Sequence, residues 1–181
     1  AGLRAALAAV GLEWETVADL VYGTTLVTNA IVEDHLAKVA LITTQGFGDT
    51  LAIGRQSRKH LYRLDLAPKP TPQVPAERRI ELSERLDAHG NILVAMTNEA
   101  IDEAVNKALA TGAEAIAVSL LHAYANAVHE QKVGAALRPT AVPVALSHQV
   151  NPEAREYERT ATTVLSASVM PLAATYLGQL D

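Results

Sequence analysis

The chain has 181 residues, of which 49% are hydrophobic and 19% charged, and its formal net charge is −5. This composition predicts a globular fold with a sizeable core, and the negative charge disfavours nucleic acids and anionic membranes as partners. The sequence contains no cysteine, which excludes disulfides, thiolate catalysis and cysteine-bound metal, and a cytoplasmic location is the default expectation. No apolar run reaches the length of a membrane span.

The first part of the chain predicts helix, strand, helix and strand in that order. In sequence order, these elements cover residues 3–10, 17–22, 25–34 and 37–43. A strand, a short helix and a second strand joined in this way predict a right-handed parallel crossover.

The middle of the chain is irregular. Four prolines, at positions 68, 70, 72 and 75, favour an extended surface path. Residues 76–86 then alternate in the manner of a half-exposed strand, 87–90 predict a turn, and 92–94 predict a second strand. We interpret this region as a hairpin insertion.

The last part of the chain repeats the helix-strand pattern. Residues 97–110 and 126–137 predict helices, and residues 115–121 and 142–146 predict strands. The tail from residue 160 to 180 predicts a helix that Pro171 kinks or divides. The whole pattern predicts an α/β fold with a mostly parallel sheet and flanking helices.

A glycine and several hydroxyl residues stand where the first predicted strand meets its helix. Gly23 permits a close backbone approach, and Thr24, Thr25 and Thr28 offer hydroxyls and free N–H groups to an anion or a polar substrate atom. The alternative is an ordinary turn with a helix cap. These residues are candidates for a substrate- or phosphate-binding site.

Two histidines follow consecutive strands of the predicted sheet. His122 and His148 can share a divalent metal or polarise a substrate carbonyl, with Glu153 or His129 as further ligands. The alternative is that they make structural hydrogen bonds. His129 and Glu130 lie in the first turns of a helix, where we expect solvent-exposed capping.

Arg55 and Arg58 are three residues apart and can clamp a carboxylate or a phosphate, unless they are ordinary surface arginines. The charges between residues 155 and 159 predict a salt-bridged helix face. The common nucleotide and hydrolase motifs are absent from the sequence.

Seven segments in the same order resemble the hydantoinase/oxoprolinase family. They are 23–30 (GTTLVTNA), 43–49 (TTQGFGD), 53–56 (IGRQ), 83–87 (SERLD), 120–126 (LLHAYAN), 147–153 (SHQVNPE) and 156–160 (EYERT). In that family, Gly23, Thr24, Thr25, Thr28 and Asn29 match a Gly-Thr-Thr motif that we expect to face an interdomain cleft. Arg55, His122 and His148 match recurring family positions.

The resemblance implies an ATPase fold similar to actin, Hsp70 and sugar kinases. It further implies that ATP, accompanied by Mg²⁺, activates a cyclic amide such as hydantoin, N-methylhydantoin or 5-oxoproline by phosphorylation. A second, hydantoinase B-type subunit or domain is the expected partner. The alternatives are a subunit of an acetone- or acetophenone-type carboxylase, and a non-catalytic interaction domain.

The family's flanking phosphate-binding motifs are missing, so we expect a fragment of the N-terminal region without ATPase activity of its own. In this interpretation, residues 1–46 and 97–150 form the α/β core and 47–96 an insertion. Residues 151–181 form a helical connection to a missing domain.

Overall fold

The computed structural model describes residues 2–19, 21, 23–56 and 71–178. The helices are α1 (Gly2–Ala9), α2 (Leu26–Val32), α3 (Thr50–Ile53), α4 (Asn98–Ala110), α5 (Val128–Leu137), α6 (Ser147–Val150) and α7 (Glu156–Leu177). The strands are β1 (Val39–Thr44), β2 (Arg79–Leu82), β3 (Arg85–Leu86), β4 (Ile92–Val94), β5 (Ala115–Ser119) and β6 (Val144–Leu146). The prediction of an α/β fold is confirmed.

Four parallel strands form the central sheet in the order β2-β1-β5-β6. In this register, Ile42 of β1 lies opposite Ile80 of β2 and Val118 of β5. All six residues of β1 and all five of β5 are buried. Such continuous burial is typical of parallel strands, because helices cover both faces of their sheet.

Alternate residues of the strands face two separate cores. On one face, Ile42 and Val118 pack with Val105 of α4 and Leu137 of α5. On the other face, Leu41, Ala117 and Ala145 pack with Val164 and Ala167 of α7. The sheet is therefore the middle of three layers, with α4 and α5 on one side and α7 on the other.

Polar side chains and a glycine mark the ends of helices α4 and α5. The hydroxyl of Thr97 accepts the N–H of Ala100 at 3.2 Å, as an N-cap does, and Gly112 follows α4 with a φ of +66°. The side chain of Asn126 accepts the N–H of Val128 at the start of α5. These boundaries agree with the sequence prediction.

The predicted hairpin forms only in part. β3 and β4 pair antiparallel, and Asp87 organises their turn by accepting the N–H groups of His89 and Asn91. Residues 79–82, however, pair with β1 in the central sheet. This part of the segment that we interpreted as an insertion thus contributes an edge strand to the main core.

The predicted strand at residues 17–22 is wrong within the described part of that segment. Residues 17–19 and 21 are not in a strand, and Val21 is 96% exposed. Leu20 and Tyr22 lie outside the described residues. A strand needs a hydrogen-bonded neighbour, and none of these described residues pairs with β2 or β6, the two edge strands of the sheet. The crossover expected from this strand is therefore absent from the described sheet.

Helix α7 is long and apolar enough, by length and composition alone, to cross a membrane. Its residues Arg159, Thr163, Val164 and Ala167 are nevertheless buried, and it packs along β5, β6 and β1. This is the arrangement of a core helix. Pro171 lies inside it without dividing it, contrary to one of the two predicted outcomes.

Candidate functional site

The carboxyl ends of the parallel strands meet at one edge of the sheet, where open α/β folds bind their ligands. Thr43 and Thr44 end β1, Ser119 ends β5, and Ser147 follows β6. The hydroxyl of Thr43 donates to the carbonyl of Ser119 at 2.9 Å and joins two of these ends. All four side chains are buried, so this edge has a polar interior rather than only a polar surface.

Glu84 connects three segments at this edge. Its carboxylate accepts the hydroxyl of Thr44 and contacts Nδ1 of His129 at 2.6 Å. The same hydroxyl oxygen of Thr44 accepts the N–H of Leu121 at 2.8 Å. Glu84 and His129 are 3% and 1% exposed, so the contact between them is shielded from water. The turn after β2, the end of β1 and helix α5 are thereby held together.

Glu130 connects the ends of the other two strands, β5 and β6. One carboxylate oxygen accepts the N–H of Leu120 at 2.9 Å and the hydroxyl of Ser147 at 2.6 Å. The other oxygen accepts the N–H of His148 at 2.9 Å and contacts Nδ1 of the same residue at 2.7 Å. The carboxylate is fully buried and bonded at four points, which compensates for the loss of its hydration.

The prediction that His129 and Glu130 are solvent-exposed is therefore wrong. A signal for their burial was present in the sequence. They precede Val133 and Leu137 at helical spacing, and all four residues face the core. The helical period placed a histidine and a glutamate on the buried stripe of α5, next to the strand ends.

Arg159 of α7 is the third buried charge at this edge. Its side chain is 1% exposed, and its guanidinium lies 5.5 Å from the centre of the Tyr124 ring. Burial lowers the pKa of Arg159, and the nearby charges of Glu130 and Glu156 partly oppose that effect. The expected salt-bridged surface face at residues 155–159 is thus wrong for Arg159, which points into the protein.

The Gly-Thr-Thr segment lies on the surface. Gly23, Thr24, Thr25, Thr28 and Asn29 are all exposed. The hydroxyl of Thr24 accepts the N–H of Leu26 at 3.1 Å, whereas Thr25, at the N-cap position, makes no side-chain capping bond. These residues keep their free polar groups, and their role as a binding site stays a prediction.

Of the two arginines predicted to clamp an anion, the structure describes Arg55 but not Arg58. Arg55 is 65% exposed in its side chain and pairs with Glu158 of α7, with 2.6 Å between Nε and the carboxylate oxygen. A hydrogen bond that the Glu158 carboxylate accepts from its own backbone N–H, and then the hydrogen bond and charge of Arg55, lower the pKa of Glu158. Arg58 lies outside the described residues, so their predicted clamp is untested.

The two candidate metal ligands have separate partners. Nδ1 of His122 lies 3.2 Å from the hydroxyl of Tyr124, while His148 contacts Glu130. Within the described ranges, no group of three or more His, Cys, Asp or Glu residues is arranged to hold a metal. A metal site completed by Glu153 or His129 is therefore not formed by the described residues.

Comparison with known proteins identifies related sequences. Residues 1–141 match the family model described as the hydantoinase/oxoprolinase N-terminal region. An uncharacterised protein of Methanocaldococcus jannaschii is 39% identical over 171 residues, which are 92% of this chain and 25% of that protein. The acetophenone carboxylase gamma subunit of Aromatoleum aromaticum is 31% identical over 81% of this chain and 22% of its own length.

A solved structure has the same fold. The crystal structure of the ATP-dependent caprolactamase from Pseudomonas jessenii superposes with a TM-score of 0.81 at 31% identity. The match covers 99% of this chain and 27% of the caprolactamase chain. This chain therefore spans about a quarter of the length of the relatives it matches.

Proposed function

Because the chain belongs to the hydantoinase/oxoprolinase family, we propose that it is part of an ATP-dependent enzyme that opens a cyclic amide by phosphoryl activation. The observation that supports this reaction most directly is the likeness to a caprolactamase described as ATP-dependent, over nearly the whole chain. The proposed substrates are lactams and related rings of the hydantoin, N-methylhydantoin or 5-oxoproline type.

The described residues do not by themselves fit ATP or Mg²⁺. They contain no cluster of three or more acidic or imidazole ligands, and the Gly23–Thr25 turn is exposed at the start of a helix of only seven residues. A bound nucleotide with Mg²⁺ would supply phosphoryl transfer. The described part of this chain is assigned the role of a scaffold beside the nucleotide.

The proposed role of the exposed turn is to contact the substrate or a phosphate across a cleft. Thr25 and Thr28 carry free hydroxyls, and Gly23 has open space around its Cα. The proposed surroundings are an actin-like ATPase fold and a second, hydantoinase B-type subunit, in the cytoplasm. His122, His148 and Arg55 remain candidates for polar contacts at the same cleft.

A ketone carboxylase is the second candidate function, supported by the 31% identity to an acetophenone carboxylase subunit. Both proposed reactions use ATP to activate a carbonyl oxygen, but they differ in the second reactant. Ring opening consumes water, whereas carboxylation consumes bicarbonate as the source of the new carboxyl group. Dependence of turnover on bicarbonate therefore distinguishes the two candidates.

Substitutions in the turn test the proposal in the full-length protein. A Cβ atom at Gly23 would meet no heavy atom of the described residues within 4 Å, so Gly23→Val should fold normally. Thr25→Ala removes one exposed hydroxyl. We expect both variants to lose turnover of the cyclic amide while keeping their unfolding temperature. Thr162→Ala, which removes an exposed hydroxyl from α7, is the matched control. Unchanged turnover in both variants would remove the turn from the mechanism and favour an interaction domain.

A further inference from the structure

Arg159 is a buried cation that makes no ion pair with the described residues. Its side chain is 1% exposed, and its Nε and Nη1 atoms have no hydrogen-bond partner in the part of the chain that the structure describes. Among the described residues, no carboxylate lies within ion-pair distance of its guanidinium. A buried guanidinium is costly unless an acceptor compensates for its lost hydration. The Arg159 guanidinium therefore needs a hydrogen-bond acceptor from outside the described residues.

A cavity of about 10 Å³ lies beside this group. Its base is formed by buried residues, and its rim by half-buried ones that reach the surface. The base residues are Thr43, Ser119, Leu121, Arg159 and Thr160, and the rim residues are Phe47, Thr50 and Glu156. This volume accommodates about one oxygen atom.

The hydrogen bonds of the lining hydroxyls show which donors are free. The Thr43 hydroxyl donates to the carbonyl of Ser119, and the Thr50 hydroxyl donates to the carbonyl of Phe47. Ser119 Oγ and Thr160 Oγ1 are 2.8 Å apart, and one of them donates to the other. The accepting hydroxyl of that pair does not use its own hydrogen in this contact. It can therefore join the Arg159 N–H groups as a third donor.

We propose that this cavity binds one oxygen of the carboxylate group of a small ligand, with the rest of the ligand outside the rim. Arg159 supplies the positive charge and two N–H donors, and the Ser119–Thr160 pair supplies a hydroxyl donor. Charge-assisted bonds of this kind are stronger than neutral ones, and an excess of donors selects an anion over a neutral ligand.

Glu156 opposes binding from the rim. Glu156 is one of the residues that line the cavity, and its negative charge acts on Arg159. An incoming carboxylate must therefore displace it or approach beside it, against like-charge repulsion. This arrangement gives the two charged residues opposite effects: removal of Arg159 abolishes binding, and removal of the Glu156 charge strengthens it.

The experiment measures binding of ¹³C-formate to the full-length protein by NMR line broadening, with formamide as the neutral ligand control. The wild type should bind formate saturably and should not bind formamide. Arg159→Met should abolish binding, Ser119→Ala combined with Thr160→Val should weaken it about tenfold through loss of the hydroxyl donor, and Glu156→Gln should tighten it severalfold. If Arg159→Met does not fold, the opposite shifts of the other two variants still decide the question.

Three results would overturn the proposal. The first is the absence of saturable formate binding, and the second is equal binding by the wild type and a folded Arg159→Met variant. The third is a crystal structure, grown with formate, in which only water or a carboxylate side chain of the protein occupies the cavity.

Discussion

Replacement of Glu130 by glutamine should destabilise the 181-residue chain severely, although it changes only one oxygen to an amide nitrogen. One carboxylate oxygen faces the N–H of Leu120 and the hydroxyl of Ser147, and the other faces the N–H and the ring of His148. Whichever oxygen becomes NH₂, a backbone N–H then faces another donor. The Ser147 hydroxyl can rotate and the His148 ring can change its tautomer, but a backbone N–H can do neither.

The size of the effect follows from these contacts. An unsatisfied buried donor costs about 1–3 kcal/mol, and the change from charged to neutral hydrogen bonds costs roughly 1 kcal/mol for each remaining bond. We expect Glu130→Gln to lower the free energy of unfolding by about 3–6 kcal/mol. Urea unfolding followed by circular dichroism measures this change.

The matched control is Glu103→Gln on α4. Glu103 pairs with Lys107 at the surface, where both side chains are more than half exposed. Its substitution should leave the urea midpoint nearly unchanged. If Glu130→Gln unfolds at the same urea concentration as Glu103→Gln, the four-point anchoring of the strand ends by Glu130 is refuted.

Three further predictions concern the core, a helix cap and a turn. Leu41 of β1 is 1% exposed and packs on the side of the sheet that α7 covers, so Leu41→Ala should lower the free energy of unfolding in urea by about 3 kcal/mol. A decrease of less than about 1 kcal/mol would contradict its place in the core. Thr97→Ala removes the cap of α4 and should cost about 1 kcal/mol, whereas Thr97→Ser should cost little; equal losses would argue against the cap. Hydrogen bonds from Asn91 hold the pKa of Asp87 below 3.8. At pH values above the ordinary pKa of an aspartate, the ionised Asp87 side chain stabilises the turn fully. This stabilisation is lost as the pH falls through the lowered pKa that Asp87 has in the folded protein. An NMR titration should show Asn91→Ala raising the Asp87 pKa towards 3.8, and an unchanged value would contradict this cause.

Local patterns in the sequence were sufficient to predict the strands and helices whose apolar residues recur with a regular spacing. β1, β5 and α4 lie close to their predicted positions, because continuous apolar runs and a threonine cap mark them independently of the rest of the fold. The positions of His122 and His148, which follow two neighbouring parallel strands, also agree with the expected order.

Predictions that depended on distant partners were less successful. The run at residues 17–22 has strand-like composition, but its described residues are not in a strand. Residues 79–82 have the alternation of a hairpin strand, but they pair with β1 across a long connection. Strand pairing depends on which neighbours are available, and this information is not contained in a short segment.

The buried charges were the least predictable part of the candidate site. His129, Glu130 and Arg159 are residue types that normally face water, so composition placed them at the surface. His129 and Glu130 are stabilised in the interior by hydrogen bonds to residues that are distant in sequence, as in the contact between His129 and Glu84. Helical spacing from Val133 and Leu137 was the available signal for the first two.

The most direct test of the proposed function measures phosphate release and ring opening together, in the full-length protein with the proposed B-type subunit added. The assay compares caprolactam, hydantoin, N-methylhydantoin, 5-oxoproline, and acetone with bicarbonate. Phosphoryl activation of a cyclic amide predicts that one ring compound stimulates ATP hydrolysis and is opened in proportion to the phosphate released. Stimulation by acetone with bicarbonate alone, or ring opening without ATP consumption, would contradict the proposal.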